Sequence, residues 1–293
     1  MIATLAGAAA LLLAGSWFAG EITVRLRRKP PDLQPGAPAR DLLLRATDGT
    51  AIATTFWPGA EAGAPAVLLL HGLYDSRADF VDHARWLTDE GFAVMAIDFR
   101  GHGRSGAAPH SFGWSEALDA RAAFDWLRRE QRRAPIGVLG VSLGGAAALL
   151  GPEGPLPCDA LALQAVYPDI RRAARNRVAA FLSRPVAVLL EPLLSYQSIW
   201  RFGVRPERLA PIEALARFNR PVLIVGGGAD RFTPPEETRE MYDAAPGPKE
   251  LLILEGLDHD ETSHVTTDGY RNAILHFFRS TLGAAPRRQK QTT

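Results

Sequence analysis

The chain has 293 residues, 47% of them hydrophobic and 22% charged, with a formal net charge of +1 and a single cysteine. That length and apolar content can bury one large α/β core or two small ones, and they exclude disorder over the bulk of the chain. The near-neutral charge gives no electrostatic reason to expect nucleic acid, and one cysteine excludes an internal disulfide. Cys158 sits in a Pro/Gly-rich loop without a matched ligand set and reads as structural filler, not as a catalytic thiol; no metal-ligand spacing and no internal repeat is present.

Ile2 to Ala19 is uncharged and almost wholly apolar. At 1.5 Å per helical residue, about eighteen residues cover roughly 27 Å, close to the thickness of a bilayer core. Arg25, Arg27, Arg28 and Lys29 follow it, and the positive-inside tendency places the domain after them on the cytoplasmic side. Residues 1–24 are therefore expected to form a single-pass membrane helix, with a cleaved export signal and a helix packed on the domain as alternatives. Residues 25–40, basic and proline-rich, read as a stiff linker. Residues 41–283 form the main domain and 284–293 a basic polar tail.

The main domain alternates strand-like and helix-like runs, the mark of an α/β sheet built mostly from parallel strands. In 41–57, Asp48-Gly49 joins two strand-like runs into an opening hairpin. "AVLLL" (66–70), "AVMAID" (93–98), "IGVLG" (136–140), "ALALQA" (160–165), "PVLIVGG" (221–227) and "ELLILEG" (250–256) are continuous apolar runs, as strands covered by helices on both faces require. Helical patterns fall at about 79–90, 115–130, 143–150, 235–244 and 268–281. Residues 168–212 hold several helical segments and no strand, and read as a cap insertion above the sheet.

"GVSLG" (140–144) fits the G-x-S-x-G pattern in the context that gives it meaning, after a strand and at the start of a helix. A sharp turn there lifts the Ser142 hydroxyl clear of the sheet, and small neighbours permit the turn. A serine hydroxyl attacks only when a base takes its proton and a third group orients that base. His259 follows one later strand and Asp230 another, in the chain order Ser, Asp, His. His264 is an alternative base, and Asp169 an alternative acid. Asp258 and Asp260 read as surface or capping residues. Gly72 lets the chain bend so that Leu73 turns its backbone N–H toward Ser142, with Leu143 as the second donor to an oxyanion. The His71 ring reads as an organiser of that loop.

These stretches, together with "HGLYDSRADF", "GFAVMAIDFRGHGRSG", "GGGADRFTPPEETREMY" and "GLDHDETSHVTTDGYRNAILHFF", resemble the α/β-hydrolase superfamily, in particular its monoacylglycerol-lipase-like and serine-aminopeptidase-like members. The resemblance covers about residues 41–283 and implies an α/β-hydrolase fold with an eight-stranded sheet. It also implies a Ser142, His259, Asp230 triad, Leu73 and Leu143 as oxyanion donors, and no cofactor or metal. Asp98 and Arg100 in "DFRGHGRSG" would hold backbone. Two departures stand out: Leu257 and Asp258 replace the usual small residues before the histidine, and the cap matches no recognised substrate class.

Residues 171–208 carry eight arginines against Glu191 and Glu207, with the apolar run "VAVLLEPLLSY" among them. This reads either as a face lying on anionic lipid or as a solvated basic face with its apolar side on the sheet. The expectation as a whole is a membrane-bound serine hydrolase acting on esters or thioesters of small or lipid-like acids, without nucleic-acid partners. Rival readings are a serine aminopeptidase or amidase, and an inactive hydrolase-fold scaffold at the membrane.

Overall fold

The computed structural model describes residues 14–18, 20–21, 36, 38–132 and 134–283. One sheet of eight strands runs through it: β1 (Arg40–Arg45), β2 (Ala51–Trp57), β3 (Ala66–Leu70), β4 (Ala93–Ile97), β5 (Ile136–Val141), β6 (Ala160–Gln164), β7 (Val222–Gly227) and β8 (Lys249–Leu254). Their order across the sheet is β1-β2-β4-β3-β5-β6-β7-β8. The opening hairpin pairs β1 with β2 antiparallel around Asp48-Gly49, β2 pairs antiparallel with β4, and every later pairing is parallel.

Helices cover both faces because the side chains of each central strand alternate between them. In β3, Leu68 and Leu70 enter a layer with Phe124, Leu127 and Leu149, whereas Val67 and Leu69 enter the opposite layer with Phe92, Phe277 and Phe278. The first layer is closed by α2 (Glu116–Glu130) and α3 (Leu143–Leu149). Ala120, Ala123, Phe124 and Leu127 of α2 recur at helical spacing and are buried. The second is closed by α1 (Val81–Asp89) and by the last helix, Asp268–Leu282, through Tyr270, Ile274, Phe277 and Phe278. Each large apolar side chain fully buried in this way contributes roughly 1.5–3 kcal/mol.

Between β6 and β7 the chain leaves the sheet. It builds a cap from α4 (Ile170–Ala179), α5 (Arg184–Ser195), α6 (Gln197–Phe202), a 3₁₀ turn (Pro206–Arg208) and α7 (Pro211–Leu215). The remaining helices are α8 (Pro235–Ala244), α9 (His259–Ser263) and α10 (Asp268–Leu282). The cap is seated by a separate apolar cluster of Leu150, Tyr167, Ile170, Val204 and Leu209. Glu191 of α5 accepts two bonds from the Arg171 guanidinium, at 2.9 and 3.0 Å, and one from Ser195 Oγ at 2.6 Å, fastening α5 to α4.

The expected membrane helix is not found: among the described residues no helix is long and apolar enough to cross a membrane. Residues 1–13, 19 and 22–24 of that segment lie outside the described residues, as do most of the proline-rich linker and the tail 284–293. The described part, residues 14–18 and 20–21, is helical and lies against α6. Arg201 pairs with Glu21 at 2.6 Å and stacks 4.1 Å over Trp17, and Gln197 Nε2 donates to the Ser16 carbonyl at 2.9 Å. Polar partners supplied by the cap hold this turn beside the domain.

The loop after β4 is tied down by buried charge. Asp98, with no solvent exposure, accepts from the backbone N–H groups of Arg77 and Arg104 and pairs with the Arg77 guanidinium. Arg100 differs from the expectation: its guanidinium holds the carboxylates of Asp119 and Asp48, at 2.6 and 2.7 Å, and no backbone group. Burial acts to lower its pKa, and the two carboxylates outweigh that and raise it. Asp98→Ala leaves the buried Arg77 guanidinium with only Asp41, at 3.8 Å, as a carboxylate partner, and chemical denaturation is expected to show a loss of up to about 3–5 kcal/mol.

Candidate active site

Parallel strands deliver their carboxyl ends to one edge of the sheet, and the sequence candidates gather there. Ser142 stands between β5 and α3 with φ 48° and ψ −108°, a left-handed backbone that a non-glycine residue adopts only at a cost of about 1–3 kcal/mol. Its N–H donates to the Gln164 carbonyl at 2.8 Å, which pins the turn to β6. The glycines after it answer a steric demand: a Cβ on Gly144 would lie 2.1 Å from the Leu70 carbonyl oxygen, and one on Gly145 would lie 2.2 Å from Val166. The helix can begin this close to β3 only without those side chains.

Asp230 lies after β7 with its carboxylate buried; its Oδ1 accepts from the backbone N–H groups of Phe232 and Thr233, each at 2.8 Å. Its other oxygen, Oδ2, is 2.7 Å from His259 Nδ1, so Nδ1–H donates and Nε2 is left as an acceptor. Ser142 Oγ lies 3.4 Å from that Nε2. This is the long end of hydrogen-bond reach, as is common before substrate binds. The structure thus brings Ser142, His259 and Asp230 into one chain of contacts. Instead of lying in a loop, His259 opens the short helix α9, because Asp258 and Glu261 form a capping box at its start.

The alternatives are occupied elsewhere. Asp169 caps α4, accepting from Arg172 N at 2.9 Å. His264 lies 3.3 Å from Asp75 Oδ1, and its Nδ1–H donates to the Asp260 carbonyl at 2.9 Å. Cys158 is buried, and burial pushes its thiol up to about 12.

Leu73 and Leu143 border the same cavity as Ser142. As the first residue of α3, Leu143 has an N–H without a helical acceptor. The loop carrying Leu73 is braced by two imidazoles. His71 donates from Nδ1 to the Gly72 carbonyl at 2.6 Å and accepts at Nε2 from Phe99 N at 3.0 Å. His102 accepts at Nε2 from the N–H of Tyr74, a residue with φ 72°, at 3.1 Å. Burial above all lowers the His71 pKa to about 4, so its ring is neutral and can both donate and accept.

His102 was not singled out in the sequence, and neither was Gln164. The Gln164 side chain donates to the Thr262 carbonyl at 2.5 Å and accepts from Tyr270 Oη at 2.6 Å, tying α9, and with it His259, to the end of β6. The available signal was a polar residue closing the otherwise apolar run "ALALQ".

Ser142 and His259 border a cavity of about 700 Å³ between sheet and cap, walled by Tyr74, Phe112, Tyr167, Val178, Leu190 and Phe232. Among the described residues, no group of three or more His, Cys, Asp or Glu side chains is arranged to hold a metal ion.

The sheet order, the strand-turn-helix at Ser142 and the cap are those of the α/β-hydrolase fold. A family model described as serine aminopeptidase, S33, matches residues 63–197, from β3 into the cap. An uncharacterized protein of Mycobacterium tuberculosis is 29% identical over 245 residues, which are 83% of this chain and 80% of that protein. Human protein ABHD12B is 28% identical over 194 residues, 62% of this chain and 50% of its own length. Among solved structures, the Pyrococcus furiosus esterase Pf2001 shares the fold with a TM-score of 0.70 at 20% identity, covering 89% of this chain and 100% of that one.

The Asp75 hydrogen bond raises the His264 pKa from 6.5 to about 9. Protonation is therefore favoured in the folded state: the stabilisation is complete below about pH 6.5 and disappears as pH rises through about 9. The pair is partly exposed, which keeps the effect below about 1 kcal/mol. Stability measured by urea denaturation is expected to fall between these pH values in the wild type and to lose that component in His264→Gln.

Proposed function

We propose that the protein is a serine hydrolase that cleaves carboxylic esters or thioesters through an acyl-enzyme. The observation that carries this reading is the contact chain from Ser142 through His259 to Asp230 at the wall of an apolar cavity. Ser142 Oγ attacks the substrate carbonyl carbon while His259 Nε2 takes the hydroxyl proton. Asp230 holds the imidazole in the required tautomer and stabilises its charged form. The backbone N–H groups of Leu73 and Leu143 receive the oxyanion, each such donor being worth roughly 3–4 kcal/mol in comparable enzymes. Collapse of the tetrahedral adduct expels the alcohol or thiol with the proton from His259. Water, deprotonated by the same imidazole, then releases the acid and restores Ser142.

Ester chemistry is favoured over aminopeptidase chemistry by what faces the substrate. Among the described residues no Asp or Glu lines the cavity, so a peptide amino terminus would enter without a counter-charge and bear its desolvation cost. The acyl group is apolar or lipid-like to match the walls.

A fluorophosphonate probe is expected to label the wild type and not Ser142→Ala; equal labelling of the two rejects the assignment. Asp230→Asn is expected to keep the fold and lower kcat on p-nitrophenyl esters by about 10⁴-fold.

We propose further that the protein works at a membrane, with its domain on the cytoplasmic side. Phe181, Leu189 and Trp200 of the cap are 81%, 74% and 83% exposed, and the cap also holds, through Gln197 and Arg201, helical residues at the end of the apolar N-terminal run. Exposed aromatic and aliphatic side chains of this kind suit a lipid interface. The electrostatic part is smaller than the arginine count suggests, since Arg171, Arg172 and Arg201 are already paired within the chain. Full-length protein is expected to remain in the membrane pellet through carbonate extraction, and its release into the wash rules the anchor out.

A further inference from the structure

Two arginines border the cavity, and the chain treats them differently. Arg201 is neutralised by Glu21 and stacked on Trp17. Arg177, on the inner side of α4, has no carboxylate within ion-pair distance among the described residues. Its guanidinium carbon lies instead over the Phe232 ring, 4.2 Å from the centroid. Stacking on a ring face holds a guanidinium in place while its N–H donors stay available at the edge. Phe232 in turn meets the His259 ring edge-on, with centroids 5.5 Å apart. An oriented cation therefore stands one aromatic ring away from the candidate base, in a cavity whose walls are mostly apolar.

The protein supplies little to offset this charge. Asp230 attracts it, but that carboxylate is engaged by His259 and two backbone N–H groups. Arg177 is an exposed residue, and the protein packed around its guanidinium lowers its pKa by partial desolvation. An anionic ligand group would meet it in a charge-assisted hydrogen bond.

We infer that Arg177 is a substrate-binding residue that selects esters bearing an anionic group, a carboxylate or a phosphate, placed beside Phe232 while the reacting carbonyl sits at Ser142. This inference rests on the serine-hydrolase reading for its catalytic half only. The substrate class is an amphiphile: an apolar chain for the cavity walls and one negative charge for the guanidinium. The alternative cations do not compete for this role, because Arg201 is already neutralised.

The test uses full-length protein and two matched pairs of substrates. One pair is p-nitrophenyl hexanoate and p-nitrophenyl hydrogen adipate, which differ by a terminal carboxylate on the acyl side. The other is a 1-acylglycerol and the corresponding 1-acylglycerol 3-phosphate, which differ by a phosphate on the alcohol side. The wild type is expected to favour the charged member of at least one pair in kcat/KM, and the responding pair identifies where the anion lies. Arg177→Leu is expected to reduce that preference by about 10- to 100-fold, the range of one charged hydrogen bond, and Arg177→Lys to retain part of it. A wild type that favours the neutral ester in both pairs overturns the inference, as does an Arg177→Leu preference within twofold of the wild type.

Calorimetric binding of octyl phosphate and octanoate to Ser142→Ala, each against octanol, gives a readout free of catalysis. Tighter binding of the anion, lost when Arg177→Leu is added, supports the site even if no ester is turned over. Equal affinities with and without Arg177 sink it, whatever the fluorophosphonate result.

Discussion

The backbone at Ser142 is the constraint on which the rest of the site depends. A residue with φ 48° between a buried strand and a buried helix has no freedom to relax, because the helix must start within van der Waals reach of the neighbouring strand. The strain is held by surrounding structure: the bond from Ser142 N to the Gln164 carbonyl, the glycines that permit close approach to Leu70 and Val166, and a helix of small apolar residues packed into the core. In return the hydroxyl stands at the sheet edge beside the helix start. A relaxed turn would let the side chain sink back toward the sheet.

Around that point the supporting parts are neutral, buried and hydrogen-bonded. His71 and His102 each use one ring nitrogen as donor and the other as acceptor, a pattern open only to the uncharged imidazole. Burial lowers the pKa of both, so the loop bracing Leu73 keeps this pattern through the neutral range. Gln164 gives the same kind of support to His259 through α9. The charged groups that stabilise the fold, Asp98 with Arg77 and Arg100 with Asp119, lie in the loop after β4 and its contacts, away from the cavity wall.

The cap gives the cavity its chemistry. Its helices bring Val178, Leu190 and Leu194 over the sheet edge, and three of its eight arginines, Arg171, Arg172 and Arg201, are consumed in pairing. What reaches the cavity is apolar surface with a positive charge and no negative one. An arginine-rich segment therefore does not translate directly into a basic outer surface. The sites of its counter-ions, in α5, α8 and the N-terminal turn, decide how much charge is left.

The alternation of apolar runs and helical patterns marked every strand to within a residue or two, and the cap as an interruption of that rhythm. The reason is local: continuous apolar runs and period-3.6 patterns are written in neighbouring residues. "GVSLG" likewise carried its own context, a strand before and a helix after, so the serine and its turn were legible. The acid and base were legible as residues at strand ends, but their choice over Asp169 and His264 was not. That choice depends on which loops meet across the sheet, and the competing residues proved to be a helix cap and the partner of Asp75. His102, Gln164 and Arg177 carried no decisive local signal, because each acquires its role from a partner far away in the chain. The sequence alone determined the sheet, the nucleophile's turn and the candidate residues, since these are set by short-range pattern. The tertiary structure decided which of them touch, which charges are neutralised and which one faces the cavity, since those depend on distances that only the folded chain defines.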